Sequence, residues 1–353
     1  MKMKGKIASL LALGFLIISC ESDDNSVDLP KGEYDNGILI SNEGAFSGGT
    51  GTINYISDDY STMESEVYKK VNNEDLGTIV QSIGFNDDEA YIIANVSNKI
   101  SIVNRNTFEK LGEITTGLNN PRYFAVSNGK GYVSNWGDTA DENDDYIAII
   151  NLSSFAIEGT IPVVLGPEKL LGENNVLYVA HSGAYGTNNK VSVINTITNE
   201  LSITIEVGDV PNSMQIEDGY LWVLAAGKPN YIPGVEETGG VLSKINTRDY
   251  SDIVNYTFGV TEHPGSLGLD DDEFYYGLGG SIYKMDIEDT ELPTSAYIGN
   301  ISYYNMTIHD DKMYVTDAKD YASNGSVSIY DLETKELEQT FDVGLIPGGV
   351  YFN

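Results

Sequence analysis

The chain repeats itself, and no other feature restricts its fold so tightly. Residues 130–137 read KGYVSNWG, residues 176–183 read VLYVAHSG and residues 312–318 read KMYVTDA. Weaker copies stand at AYIIAN (90–95), YLWVLA (220–225), FYYGL (274–278) and GILISN (37–42), making seven. A second phrase follows each: GTINYIS (51–57), NKISIVN (98–104), DYIAIIN (145–151), NKVSVIN (189–195), GVLSKIN (240–246), GSIYKMD (280–286) and GSVSIYD (325–331). Their last residues are 47, 47, 44, 51, 40 and 45 positions apart. A third phrase opens most units with a proline: NPRYFAV (120–126), GPEKLLG (166–172), VPNSMQI (210–216), HPGSLGL (263–269) and IPGGVYF (346–352). The units beginning near Gln81 and Tyr304 lack it.

Each unit reads as four short strands. The runs are β-branched, aromatic and alternating, as in Val191-Ser192-Val193-Ile194, and Gly, Asn and Asp bound them. Four strands on a period of about 40–50 residues specify a propeller blade. The predicted fold is therefore an all-β, seven-bladed propeller of antiparallel blades. The terminal IPGGVYFN is a first strand with nothing after it, and GILISNEG (37–44) is a second strand with nothing before it. Together they complete one blade and close the ring, which removes an exposed sheet edge. A β-sandwich is the alternative, and seven copies with complementary ends argue against it.

With 353 residues the chain is long enough for two domains by size alone, but an unbroken ring is one domain. The net charge of −33 disfavours nucleic acid, which demands Lys and Arg at phosphates. Most of that acid reads as a solvated surface. The single cysteine excludes an intrachain disulfide and a cysteine metal cluster. That residue, Cys20, ends a segment unlike the rest. MKMKGK carries three lysines, and the apolar run SLLALGFLIIS is too short to span a bilayer. Ile17-Ile18-Ser19-Cys20 resembles a bacterial lipoprotein signal, with Cys20 as the lipidated residue. The expected organisation is a signal peptide over 1–19, an acidic tether over 20–35 and a propeller over 36–353. Glu21-Ser22-Asp23-Asp24-Asn25-Ser26 resembles the export signal of Bacteroidetes surface lipoproteins. Its scarcity of apolar residues makes it a flexible leash.

Loop lengths divide the two faces of the ring. Five of the seven loops between second and third strands are long: NEGAFSGGTG (42–51), NWGDTADENDD (135–145), HSGAYGTNN (181–189), AGKPNYIPGVEETGG (226–240) and DAKDYASNG (317–325). Each carries an aromatic residue: Phe46, Trp136, Tyr185, Tyr231 and Tyr321. Turns on the other face, such as SNGK, EDG and HDDK, are short. Long loops on a rigid scaffold commonly bind, and aromatics among small polar residues compose binding surfaces. Packing over the blade edges is the competing reading for any one ring. The candidate ligand-binding set is Asn42, Phe46, Arg122, Asn135, Trp136, His181, Tyr185, Tyr231 and Tyr321.

Catalytic signals are weak. His181 and His263 belong to different blades and His309 to the opposite face, with no metal-ligand spacing among the three. There is no G-x-S-x-G elbow and no haem-attachment motif. The DENDD run offers oxygen ligands to a calcium ion but lacks the EF-hand spacing and its glycine. No catalytic residue, metal ligand or cofactor is therefore assigned.

The YVSN, YVAH and YVTD phrases, with their VSVIN-type partners, resemble the YVTN family of seven-bladed propellers over residues 37–353. More narrowly, GILISNEGAFSGGTGTINYISDD (37–58) behind a lipoprotein leash is similar to the surface propeller lipoproteins of Bacteroidetes that accompany TonB-dependent transporters. That resemblance implies a non-enzymatic protein, lipid-anchored on the outer membrane and exposed at the cell surface. Its partners would be a TonB-dependent outer-membrane transporter and a small-molecule ligand such as cobalamin or another nutrient. Two other classes stay open: a propeller-fold enzyme of lactonase or quinone-dependent dehydrogenase type, and an adhesion or scaffold protein.

Overall fold

A computed structural model describes residues 31–231 and 234–353. The signal peptide and Cys20, with most of the leash, lie outside these residues. The strands form seven four-stranded sheets, six with their strands in chain order and one in which the last strand of the chain lies beside the first. All pairings are antiparallel, as in Val179 opposite Ser192 and Val193 opposite Ile203. Closure follows the expected route. Pro347–Phe352 pairs with Gly37–Asn42, with Leu39 opposite Tyr351 and Ile40 opposite Val350. We number that composite blade 1 and count onward along the chain.

The repeated phrases are explained by the contacts they make. Seven hydrophobic clusters fill the seven junctions between neighbouring blades. In six blades an aromatic of the second strand reaches into the next blade, and in blade 1 Leu39 takes that place. Tyr132 packs among Leu177, Val179 and Ile194, and Tyr178 among Leu221, Val223 and Ile245. Both faces of a central strand are buried because a blade has a neighbour on each side. In blade 4, Val191 and Val193 face blade 5 while Ile194 faces blade 3. The opening proline has a counterpart too. A Cβ on Gly240 or Gly325 would lie 2.3 Å from Cδ of Pro264 or Pro347, so in blades 5 and 7 the third strand begins beside a glycine under the next blade's proline.

Two blades depart from the four-full-strand expectation. The outermost strand shrinks to Met63–Glu64 in blade 1 and Ile298–Gly299 in blade 6. In blade 1 a helix over Val67–Asn72 takes up the burial, inserting Val67 and Tyr68 beside Leu76 and Val80. Tyr34, placed in the leash by the sequence, is buried edge-on against Tyr55 and Phe108.

Candidate functional site

The first strands of the blades surround a central channel. Toward the long-loop face it opens into a cavity of about 730 Å³. One backbone device repeats there. The residue before the opening position adopts positive φ: Ile79, Asn120, Gly166, Val210 and Ile346. Its carbonyl accepts from an amide at the base of a long loop or its equivalent: Asn95 to Ile79 at 2.8 Å, Trp136 to Asn120 at 3.2 Å, Ala226 to Val210 at 2.9 Å, Glu43 to Ile346 at 2.8 Å. Three of these residues are β-branched, a costly choice at positive φ that the surrounding ladder enforces. The device ties each loop to the strand below it and aims the residue just past the opening position into the channel. Those residues are Gln81, Arg122, Glu168, Asn212 and Asn305, with glycine at 265 and 348.

Arg122 and Glu168 therefore meet from adjacent blades. The guanidinium donates through Nε to Oε2 at 2.9 Å and through Nη2 to Oε1 at 2.8 Å. Their side chains are only 12% and 13% exposed. The Arg122 guanidinium also lies 3.9 Å over the Trp136 ring, which meets Tyr185 edge-on at 5.7 Å. Across the mouth, Tyr304 donates to Glu43 Oε1 at 2.9 Å and stands edge-on to Tyr321 at 5.8 Å. Burial raises the Glu43 carboxyl above its usual range, while the Tyr304 hydroxyl and Arg122 pull it back. Lys169 sits 3.9 Å over the Tyr123 ring. The mouth thus pairs its charges across blades and backs its cations with aromatic faces.

The sequence-derived candidates separate into three groups. Phe46, Tyr185, Tyr231 and Tyr321 are 60–79% exposed and carry free ring surface on the long loops. Arg122 and Trp136 lie in the mouth itself. Asn42, Asn135 and His181, expected on the face, are wholly buried and hold the fold. Asn42 donates to Asn54 Oδ1 at 2.8 Å and accepts from the Gly344 amide at 2.9 Å, tying blade 1 to the end of blade 7. Asn135 accepts from the Asn119 amide at 3.0 Å and donates to the Val133 carbonyl. His181 Nε2 pairs with Ser192 Oγ at 2.9 Å. Burial lowers the His181 pKa to about 4, against a partial offset from the Val164 and Leu165 carbonyls. Each ends a second strand, where a polar side chain caps the ladder rather than facing solvent.

Sequence reading missed Glu43, Glu168, Tyr123 and Tyr304. For Glu168 the signal was present, since the residue after the opening position lines the mouth in every blade, but only Arg122 was picked out by it. At the opposite end, Glu217, Asp270, Asp271, Asp272, His309 and Asp310 line a second opening of about 620 Å³. Leu269 and Ile308 line both cavities.

Among solved structures, the chain is similar to the computationally designed Ika8 protein, with 12% identity, a TM-score of 0.59 and 90% of each chain covered. BamB from Moraxella catarrhalis shares 14% identity at a TM-score of 0.53, covering 79% of this chain and 83% of its own. Apo AztD from Citrobacter koseri shares 10% at 0.54, covering 89% and 97%. Identities this low establish the propeller fold and nothing finer. No curated protein matches the sequence. A family profile described as a domain of unknown function, DUF5074, matches residues 36–340, and the chain belongs to that family.

Proposed function

We propose that the protein is a non-enzymatic capture protein that binds a small molecule across the long-loop mouth of its channel. The observation that carries this reading is that exposed Tyr185 and Tyr321 stand edge-on to Trp136 and Tyr304 of the recessed, charge-paired mouth, with exposed Phe46 and Tyr231 on two more of the long loops. Free rings contribute apolar area at little entropic cost. The mouth contributes polar selectivity. Arg122 Nη1 makes no protein hydrogen bond among the described residues, so it is free to donate to a ligand carbonyl. A ligand that matches is broad and flat with a polar, amide-bearing rim. Cobalamin, suggested by the resemblance to surface lipoproteins, is the first molecule to try. In the same reading Cys20 carries the lipid anchor, the chain is held at the outer surface of the outer membrane, and a TonB-dependent transporter receives the ligand.

Calorimetry with cobalamin and a panel of unrelated cofactors and glycans tests the binding. Saturable binding that weakens in Tyr185→Ala or Tyr321→Ala supports the mouth as the site. Truncation of an aromatic anchor costs about 2 kcal/mol or more where it is a hot spot. Equal binding by Phe46→Ala, Tyr185→Ala, Tyr231→Ala and Tyr321→Ala would place the ligand elsewhere. For the anchor, Cys20→Ala should abolish fractionation with membranes, since lipid chains supply the attachment.

A further inference from the structure

The cavity at the mouth holds the charged side chains Glu43, Arg122, Glu168 and Lys169. Arg122 and Glu168 neutralise each other, and Glu43 accepts from Tyr304. Lys169 has no such partner. Among the described residues it forms no ion pair, and its ammonium rests 3.9 Å over the Tyr123 ring. Acids outnumber bases 53 to 20 in this chain, so a lysine is not short of candidate partners. Lys99, Lys244 and Lys335 are also outside ion pairs, but none of them lines this cavity.

The backbone accounts for the inward position of Lys169. Successive residues of a regular strand point to opposite sides. The first strand of blade 4 shifts register between Pro167 and Leu170, and that of blade 3 between Pro121 and Phe124. Such irregularities re-aim side chains. Glu168 and Lys169 therefore both reach the cavity, as do Arg122 and Tyr123. The Tyr123 hydroxyl accepts from Gln81 Nε2 at 3.3 Å, and among the described residues nothing accepts its own proton. An ammonium 3.9 Å over a ring centroid stands within a carboxylate's span of that ring's hydroxyl. Blades 3 and 4 thus hold two uncommitted donors side by side. Across the channel the polar groups are spent on the protein. Asn212 donates to the Pro264 carbonyl at 3.0 Å, Ser266 to Asn305 Oδ1 at 2.8 Å, and Asn305 to the Gly348 carbonyl at 2.8 Å. That side is also roomy, since a Cβ on Gly265 would meet only Asn212 Nδ2, at 3.8 Å.

We propose that Lys169 and Tyr123 form a carboxylate-binding subsite in the mouth, so that the captured molecule carries an acidic group at its buried end. The inference rests on the reading of the mouth as a small-molecule site and adds the charge of its ligand. One carboxylate oxygen takes the Lys169 ammonium and the other the Tyr123 hydroxyl. Gln81 fixes that hydroxyl from blade 2, and the Gly265 side leaves space for the body of the molecule. The charge count selects a monoanion. The four charged side chains of the cavity sum to zero, so a dianion such as a phosphate monoester would face Glu43 and Glu168 with a second, uncompensated charge. The net charge of −33 does not forbid an anion here, because charges beyond about 8 Å are largely screened at physiological salt.

The test is calorimetry on the purified propeller with benzoate, its neutral counterpart benzamide, and phenyl phosphate, largely a dianion at about pH 8. Expected are saturable benzoate binding, benzamide about tenfold or more weaker, and phenyl phosphate weaker than benzoate. Lys169→Gln should abolish the preference for benzoate over benzamide, and Lys169→Arg should retain it. Tyr123→Phe keeps the ring under the ammonium and should weaken benzoate about tenfold. Lys244→Gln, an equal change of charge outside the cavity, should behave as the parent does. Equal binding of benzoate and benzamide by the parent would overturn the subsite, as would tighter binding of phenyl phosphate or a preference that survives Lys169→Gln. If Lys169→Gln fails to fold, Tyr123→Phe and the parent's own preference decide. The two readings fail separately. Cobalamin binding that depends on Tyr185 and Tyr321, without any benzoate preference, removes the subsite and leaves capture standing. A benzoate preference lost in Lys169→Gln supports the subsite even where cobalamin does not bind.

Discussion

The two ends of the channel are both rich in carboxylates, yet the charge arises for different physical reasons. At the exit the acids sit in two-residue turns. Asp87, Asp218, Asp271, Asp310 and Asp311 all have positive φ, where Asn and Gly occur in the equivalent turn at Asn128-Gly129. Such turns demand residues that tolerate the left-handed region, and Asp is one of the few. Exit acidity is thus largely turn chemistry with a solvated side chain. At the mouth, Glu43 and Glu168 are carried into partial burial by the backbone device that opens each blade, and each has a specific donor. Equal charge therefore carries unequal consequence, and burial decides which end is sensitive.

Opening the ring is the most severe way to break the comparison, because it removes both ends at once. Deleting 346–353 strips Gly37–Asn42 of its partner and exposes two sheet edges. The expected result is an aggregated or cooperatively destabilised protein by size exclusion and thermal melting, and a truncated chain as stable as the parent would refute the closure argument. Next, Arg122→Ala leaves Glu168 buried without its partner and should cost about 3–5 kcal/mol by denaturant unfolding. Replacing both partners, as Arg122→Met with Glu168→Leu, should recover most of that loss. The matching exit change, Asp218→Asn with Asp272→Asn, should move stability by about 0.5 kcal/mol or less, since neither carboxylate is buried.

Acid sharpens the contrast further. His181 titrates near pH 4 in the folded protein and near 6.5 when unfolded. Between those values the unfolded chain binds the extra proton, so stability rises with pH and is lost as pH falls from about 6.5 toward 4. The full contribution is on the order of 3 kcal/mol. Asp145 works against it. Burial and the neighbouring Asp144 and Asp141 raise its carboxyl to about 6, with the Gly166 amide opposing. Its contribution is present at low pH and fades as pH rises through 6. Between pH 4 and 6 the two oppose each other, so His181→Gln should flatten or reverse the acid limb of the parent's stability curve. An unchanged limb would show that His181 does not titrate there. Tyr304→Phe removes the donor to Glu43 and should cost about 1.5 kcal/mol, less than loss of Arg122 and more than the exit change.

The blade count, the strand order within each blade and the pairing of 346–353 with 37–42 were legible from the sequence, because junction packing repeats the same aromatic and β-branched positions at every blade. Loop lengths separated the two faces for the same reason, since strand spacing is local. The burial of a single polar residue is not local. Asn42, Asn135 and His181 look like loop-base polar groups in sequence, and whether they face water depends on which amides the neighbouring blade brings to them. Their partners Gly344 and Asn119 are supplied across a blade junction in one case and by the preceding connection in the other. The opposite error befell Glu168 and Tyr304, which are ordinary in sequence and meet Arg122 and Glu43 only because the ring brings separate blades around one axis. Repetition determined the scaffold, because each blade must fit its neighbours in the same way. The tertiary structure alone decided which charges lie buried, since a carboxylate's surroundings come from residues far away in the chain.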